Sequence, residues 1–129
     1  MALQLARLAG AHPVIAVEML PNRKRLAALC GADLVLDPAE CDVGLEIKKA
    51  TGKRGADVCI EYSGNHRALQ AALRGVAYRG VVVAGAWPGV YPAGLDLGAE
   101  AHHNRPTMSS RAHAATQTRI IPTGMRIEF

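Results

Sequence analysis

Aromatic side chains are scarce in this sequence: one Phe, one Trp and three Tyr among 129 residues. A surface that takes single-stranded nucleic acid stacks bases on aromatic rings within a basic groove. Here the formal charge is +4, but the bases (Arg7, Arg23, Lys24, Arg25, Lys48, Lys49, Lys53, Arg54) are scattered among acids. Nucleic-acid binding is excluded on that ground, and the excess charge suits a small anionic ligand at least as well. Cysteine is nearly as rare, with Cys30, Cys41 and Cys59 only. An odd number without Cys-x-x-Cys spacing excludes a disulfide frame and a structural zinc, and points to buried thiols in a reducing compartment. No apolar run approaches a membrane span, and the first residues lack the basic region of a signal peptide. A cytoplasmic protein with no membrane partner is expected.

What remains suffices for one domain, since half of the residues are hydrophobic. The stretch Pro13-Val-Ile-Ala-Val-Glu18 reads as a buried parallel strand with a carboxylate at its tip. Before it, Ala2 to Ala9 is rich in Ala and Leu and is closed by Gly10, which predicts a helix. After it, Asn22 is placed to cap a helix from Arg23 to Cys30 that Gly31 ends. Ala32 to Asp37 is a short third element stopped by Pro38. Asp42 to Thr51 reads as a helix with Val43, Ile47 and Ala50 on one face.

Ala56-Asp-Val-Cys-Ile-Glu-Tyr62 is the second strongly apolar strand, and His66 to Val76 carries Ala68, Leu69, Ala72 and Leu73 at helical spacing. Gly80 to Ala86 reads as a further strand with a Gly-rich end. The stretch 87–94 reads as a loop, 96–105 as an irregular polar patch, and 105–110 as an edge strand limited by Pro106. Alternating helices and strands imply an open α/β sheet, in which ligands sit beyond the carboxyl ends of the strands. An acid at the tip of the second strand there takes the hydroxyls of an adenosine ribose, which makes Glu18 the first candidate; a helix cap or a solvated loop acid is the plain alternative.

Gly52-Lys53 invites a phosphate-loop reading but fails on spacing, because Ile47 stands at the first glycine position and Arg54 at the Ser/Thr position. His102, His103 and Glu100 offer donors, but adjacent side chains diverge and no third ligand stands at a usual interval. No metal is expected there. The dinucleotide fingerprint Gly-x-Gly-x-x-Gly is absent altogether.

Five blocks carry a family resemblance. Leu3 to Ala11, Val14 to Glu18, Arg25 to Asp33, Gly55 to Glu61 and Gly80 to Gly85 closely resemble the coenzyme domain of medium-chain, zinc-dependent alcohol dehydrogenases, in the same order and at matching intervals. The match runs over about 1–112. The resemblance implies an α/β fold: an incomplete Rossmann fold, with a parallel sheet, flanking helices, and the first strand and Gly-rich phosphate loop missing. Its implied ligand is NAD, a small-molecule dinucleotide. The acid at Glu18 would take the adenosine ribose with a base at Arg23 nearby, Tyr62, Ser63 and Gly64 would line the adenine side, and Ala84, Gly85 and Ala86 would flank the nicotinamide. A carboxylate at Glu18 repels a 2′-phosphate and so favours NAD over NADP, although Arg23, Lys24 and Arg25 act against it.

The same resemblance implies a parent oxidoreductase moving hydride between an alcohol or polyol and NAD, with zinc in the parent enzyme only. Its zinc ligands come mostly from an N-terminal domain that this chain lacks, so neither a catalytic residue nor a metal ligand is expected here, and the isolated chain is expected to be inactive. A homodimer follows from the family's last sheet strand, which pairs across subunits. The alternatives are a zinc-independent NADPH quinone or enoyl reductase, an S-adenosylmethionine methyltransferase, which also places an acid at its second strand tip, and a non-catalytic folding or assembly fragment. With the central strand missing, the strands beginning at Pro13 and Ala56 are expected to flank an unpaired gap. Residues 113–129 match nothing in the family. Glu128-Phe129 is what the cloning site GAATTC encodes, and another frame of the preceding codons can read Asp-Tyr-Pro-His-Trp-Asp, so a frame-shifted or cloning-derived tail is the expectation.

Overall fold

Helices and strands alternate from Ala2 to Ala84 in the computed structural model, which describes residues 1–86, 107–110 and 126–128, the last two segments as backbone strands. The elements are α1 (Ala2–Leu8), β1 (Val14–Val17), α2 (Pro21–Leu29), β2 (Leu34–Leu36), α3 (Val43–Ala50), β3 (Ala56–Glu61), α4 (His66–Gly75), β4 (Val76–Ala84), β5 (Thr107–Ser110) and β6 (Arg126–Glu128). They form one parallel sheet in the order β2-β1-β6-β3-β4-β5. The expected gap between the strands beginning at Pro13 and Ala56 is therefore corrected: β6, from the tail, lies in it. Arg126, Ile127 and Glu128 register with Val14, Ile15 and Ala16 on one side and with Val58, Cys59 and Ile60 on the other.

Side chains on β1 alternate between two cores because successive residues of a strand point to opposite faces. Val14 and Ala16 pack with Leu3 and Ala6 of α1 and Ala27 of α2. Ile15 packs on the other face with Val43 and Ile47 of α3 and Leu69, Ala72 and Leu73 of α4. Helices thus cover both faces, as a parallel sheet requires. The buried side of α3 is Val43, Gly44 and Ile47, while Ala50 is exposed, contrary to the expected face. Asp42 caps α3 by accepting the Leu45 N–H at 3.1 Å, and Asn65 caps α4 through the Arg67 N–H at 2.8 Å.

Two boundaries differ from expectation. Helix α2 begins at Pro21 with Leu20 as its cap residue, and no side chain caps it, so Asn22 is inside the helix. Proline at the first helical position has no N–H to leave unpaired and a φ already suited to the helix. Strand β4 begins at Val76, four residues before Gly80, directly from the end of α4. Its pairing with β3 jumps from Ala56↔Val76 to Val58↔Val81, so extra residues of β4 bulge out. Arg79 sits there at φ 61°, and a Cβ on Gly80 would stand 2.6 Å from Val76 Cγ2 and 3.0 Å from the Ala56 carbonyl. Gly80 therefore marks the return from the bulge.

Ion pairs tie the sheet ends to the helices. Arg7 of α1 donates to Asp33 at 2.7 Å, and Asp33 also accepts the Val14 N–H at 2.7 Å. Lys24 of α2 donates to Asp37 at 2.6 Å, and Asp37 turns the chain after β2 by accepting the Ala39 N–H at 2.8 Å. Arg74 of α4 reaches Asp42 at the head of α3 at 2.8 Å. The Gly52-Lys53 turn is a helix-to-strand connection, held by Thr51, whose hydroxyl accepts the Gly55 N–H at 2.8 Å and donates to the Lys48 carbonyl.

Leu73 is fully buried between α4, α3 and the sheet. Leu73→Ala will cost about 2–5 kcal/mol of unfolding free energy, read from urea denaturation. Lys24 holds the Asp37 carboxyl below the usual carboxylate range, helped by the Ala39 N–H. That contribution is complete above the unfolded pKa near 4 and is lost as pH falls through the lower folded value. Asp37→Asn will lower stability at neutral pH and flatten its decline in acid, seen by comparing urea midpoints of the two chains between pH 7 and pH 3.

Candidate functional site

All six strands run the same way, so the residues after β1, β3 and β4 share one edge of the sheet. Glu18, Tyr62-Ser63-Gly64 and Gly85-Ala86 follow those strands directly, and Ala84 is the last residue of β4. The sequence candidates are thus brought to one edge. Glu18 and Tyr62 flank the carboxyl end of β6, about 10 Å apart as two strand spacings.

Glu18 is partly buried and splits its two oxygens between tasks. Oε1 accepts the N–H groups of Met19 and Leu20 at 2.9 and 3.0 Å, which shapes the entry to α2. Oε2 faces the Arg23 guanidinium at 3.9 Å. A pair at that distance whose cation is exposed is worth little, so Arg23 biases the local field without locking the carboxylate. Lys24 points to Asp37 and Glu40. Of the three neighbouring bases, it is therefore spent on the β2 turn.

The β3 end is built around Glu61, an acid that the sequence reading does not single out. Its side chain is 1% exposed, and its Oε1 accepts the Ser63 N–H and the Ser63 hydroxyl, each at 2.6 Å, and the Gly64 N–H at 3.1 Å. Its carbonyl accepts the Gly85 N–H at 2.7 Å, which pins the β4 end to the β3 end. The signal is present in the sequence: an acid closing an apolar strand and followed by Ser-Gly has donors within reach. Tyr62 is half exposed, and its ring lies over Gly85, where a Cβ would overlap Cε1 and Cζ. Gly85 is thus a glycine by close approach, and the space above it belongs to Tyr62.

Cys59 is buried on β3, and burial pushes its thiol well above the usual range, so it is an inert core residue. Among the described residues no three His, Cys, Asp or Glu side chains gather as metal donors. His102, His103 and Glu100 lie outside the described residues, as do the stretches 87–106 and 111–125. Also among the described residues, no helix is long and apolar enough to cross a membrane.

Glu61→Ala leaves two backbone N–H groups and a hydroxyl without their acceptor inside the fold. It will cost about 2–4 kcal/mol by chemical denaturation, whereas Glu61→Gln, which keeps an oxygen acceptor, will cost less than half of that.

The family model for zinc-binding dehydrogenases matches residues 1–118. D-guloside 3-dehydrogenase of Escherichia coli (strain K12) is 50% identical over 103 residues, which are 80% of this chain and 29% of that protein. L-threonine 3-dehydrogenase of Pyrococcus horikoshii is 41% identical over 86 residues, 66% of this chain and 25% of that protein. The crystal structure of an alcohol dehydrogenase zinc-binding domain protein from Burkholderia ambifaria superposes with a TM-score of 0.73 at 28% identity, covering 84% of this chain and 29% of that one. The chain thus spans under a third of the length of the relatives it matches. With five of its strands in Rossmann order and its sequence matched from the first residue, the chain belongs to the zinc-binding dehydrogenase family.

Proposed function

We propose that this chain is the coenzyme-binding half of a zinc-type dehydrogenase and takes the adenosine end of NAD at Glu18. The observation that carries the reading is the Glu18 Oε2 oxygen: a carboxylate beyond the tip of β1, partly buried, whose nearest cation stands at 3.9 Å. A carboxylate so placed accepts both hydroxyls of a ribose and repels a 2′-phosphate, which favours NAD over NADP. Tyr62, Ser63 and Gly64 form the wall of the adenine side, held in shape by Glu61.

The fit is uneven along the dinucleotide. Glu18 suits the ribose. The sequence offers no Gly-x-Gly-x-x-Gly loop to bring backbone N–H groups to the pyrophosphate. At the β4 end, Ala84, Gly85 and Ala86 stand where the nicotinamide would lie, but Tyr62 covers Gly85. The reading is therefore an adenosine half-site. NAD, when bound whole in a complete enzyme of this family, supplies the hydride acceptor for an alcohol or polyol. In this chain the residues bind and orient, and no side chain among those described takes the place of acid or base. The isolated chain is accordingly inactive in this reading.

Calorimetric titration with NADH, NADPH and S-adenosylmethionine tests it. NADH is expected to bind, NADPH more weakly, and Glu18→Ala to weaken NADH by roughly 10- to 100-fold, the worth of hydrogen bonds to a charged group. Equal binding of NADH to both chains would remove Glu18 from the site. Tighter binding of S-adenosylmethionine than of NADH would replace the dehydrogenase reading by that of a methyltransferase.

A further inference from the structure

Glu18 has a second acid beside it at the ligand edge. Strands β1 and β2 are in register at Val17↔Leu36, and the Glu18 N–H donates to the Leu36 carbonyl at 2.9 Å. Glu18 and Asp37 therefore follow adjacent strands as neighbours, their backbones about 5 Å apart. Lys24 is committed to the outer of the two. Its Nζ donates to Asp37 Oδ2 at 2.6 Å and has Glu40 Oε1 at 3.9 Å. The Asp37 side chain is 9% exposed, and its other oxygen accepts the Ala39 N–H at 2.8 Å, so the carboxylate that holds the lysine is itself held. The hydrogen bond between them raises the Lys24 pKa and lowers that of Asp37, so both stay charged through the neutral range. Arg23 makes no comparable bond to Glu18, its guanidinium being exposed and 3.9 Å away.

We propose that Asp37, backed by Glu40, sets the choice between NAD and NADP by holding Lys24 away from the ribose acid, an inference that rests on Glu18 as the ribose site. A free ammonium on a four-carbon stem reaches across one strand spacing. Beside Glu18 it would act twice. It would pair with Oε2, the oxygen that a ribose hydroxyl needs, and it would supply the cation that a 2′-phosphate needs next to a carboxylate. Tied to Asp37, Lys24 does neither. The acid after β1 repels the extra phosphate, and the acid after β2 removes the base that would compensate. Asp37 touches no nucleotide in this arrangement and is a positioning residue that acts through Lys24.

Calorimetric titration of the full chain with NADH and NADPH decides it. The chains compared are the parent, Asp37→Asn with Glu40→Gln, and that pair with Lys24→Met added. Asp37→Asn keeps an oxygen for the Ala39 N–H while removing the charge that holds the lysine. The paired variant is expected to weaken NADH and tighten NADPH, moving the ratio of affinities roughly tenfold or more toward NADPH, the worth of one hydrogen bond to a charged group. Adding Lys24→Met is expected to abolish the gain for NADPH, a reversal that mere loss of local structure would not give. Where Asp37→Asn unfolds the chain, Asp37→Ser takes its place, since a hydroxyl accepts the same N–H. NADH binding that depends on Glu18, with an unchanged ratio in the paired variant, would overturn this proposal and leave the coenzyme reading standing. A shift toward NADPH that persists without Lys24 would overturn it as well. Binding of neither nucleotide by any folded chain would remove the coenzyme reading, and the proposal with it.

Discussion

A parallel sheet cannot tolerate a vacancy at its centre. Edge strands lose hydrogen bonds on one side to water, but β1 lies beneath helices on both faces and β3 packs against α4, where water does not replace a missing partner. The shared core under α3 and α4 depends on keeping those two strands one strand's width apart. Ile15 and Cys59 face each other across β6 and share one core with Leu73 and Ile47, so α3 and α4 are packed over the junction itself. Arg7 and Asp33 hold α1 against the amino end of β1, and α1 in turn lies on β6. The tail strand is thus the piece that converts two half-sheets into one, whatever the origin of its sequence.

Much of this is legible in the residues, and the reason differs from segment to segment. The strands Val14–Val17 and Ala56–Glu61 are apolar runs bounded by turn residues, and their type comes from burial on both faces. Helix α4 is readable because Leu69, Ala72 and Leu73 repeat at helical spacing on its one buried side. The start of β4 is not readable, because Val76 to Arg79 pairs through a bulge and Arg79 adopts a left-handed φ that composition does not announce. Periodicity assigns Ala50 to a buried face, but it is the last residue of α3 and is exposed, while Gly44 sits close under Arg74 instead. The position of β6 is illegible for a deeper reason. Central placement is a property of the whole sheet, and three residues, Arg-Ile-Glu, carry no local mark of it.

The ligand edge shows the same division between local and global information. Parallel pairing guarantees that Glu18, Tyr62 and Gly85 share an edge, so their gathering comes with the fold class. Their mutual contacts do not. That Tyr62 covers Gly85, and that Gly85 hydrogen-bonds to the Glu61 carbonyl, depend on the relative lengths of β3 and β4, which the bulge at Gly80 sets.

Two acids close two apolar strands in this chain, and by sequence they look alike: Val-Ile-Ala-Val-Glu18 and Asp-Val-Cys-Ile-Glu61. The next few residues decide the fate of each. After Glu61 come Tyr-Ser-Gly, which puts a hydroxyl and two unengaged N–H groups within reach of one oxygen, and the carboxylate is drawn inward to 1% exposure. After Glu18 come Met-Leu-Pro, and Pro21 starts a helix at once. Only the Met19 and Leu20 N–H groups are then offered, both to Oε1, and the second oxygen is left toward solvent and Arg23. One carboxylate is consumed in building the edge, the other is half available to a ligand at it. The difference lies in the donors that each turn presents.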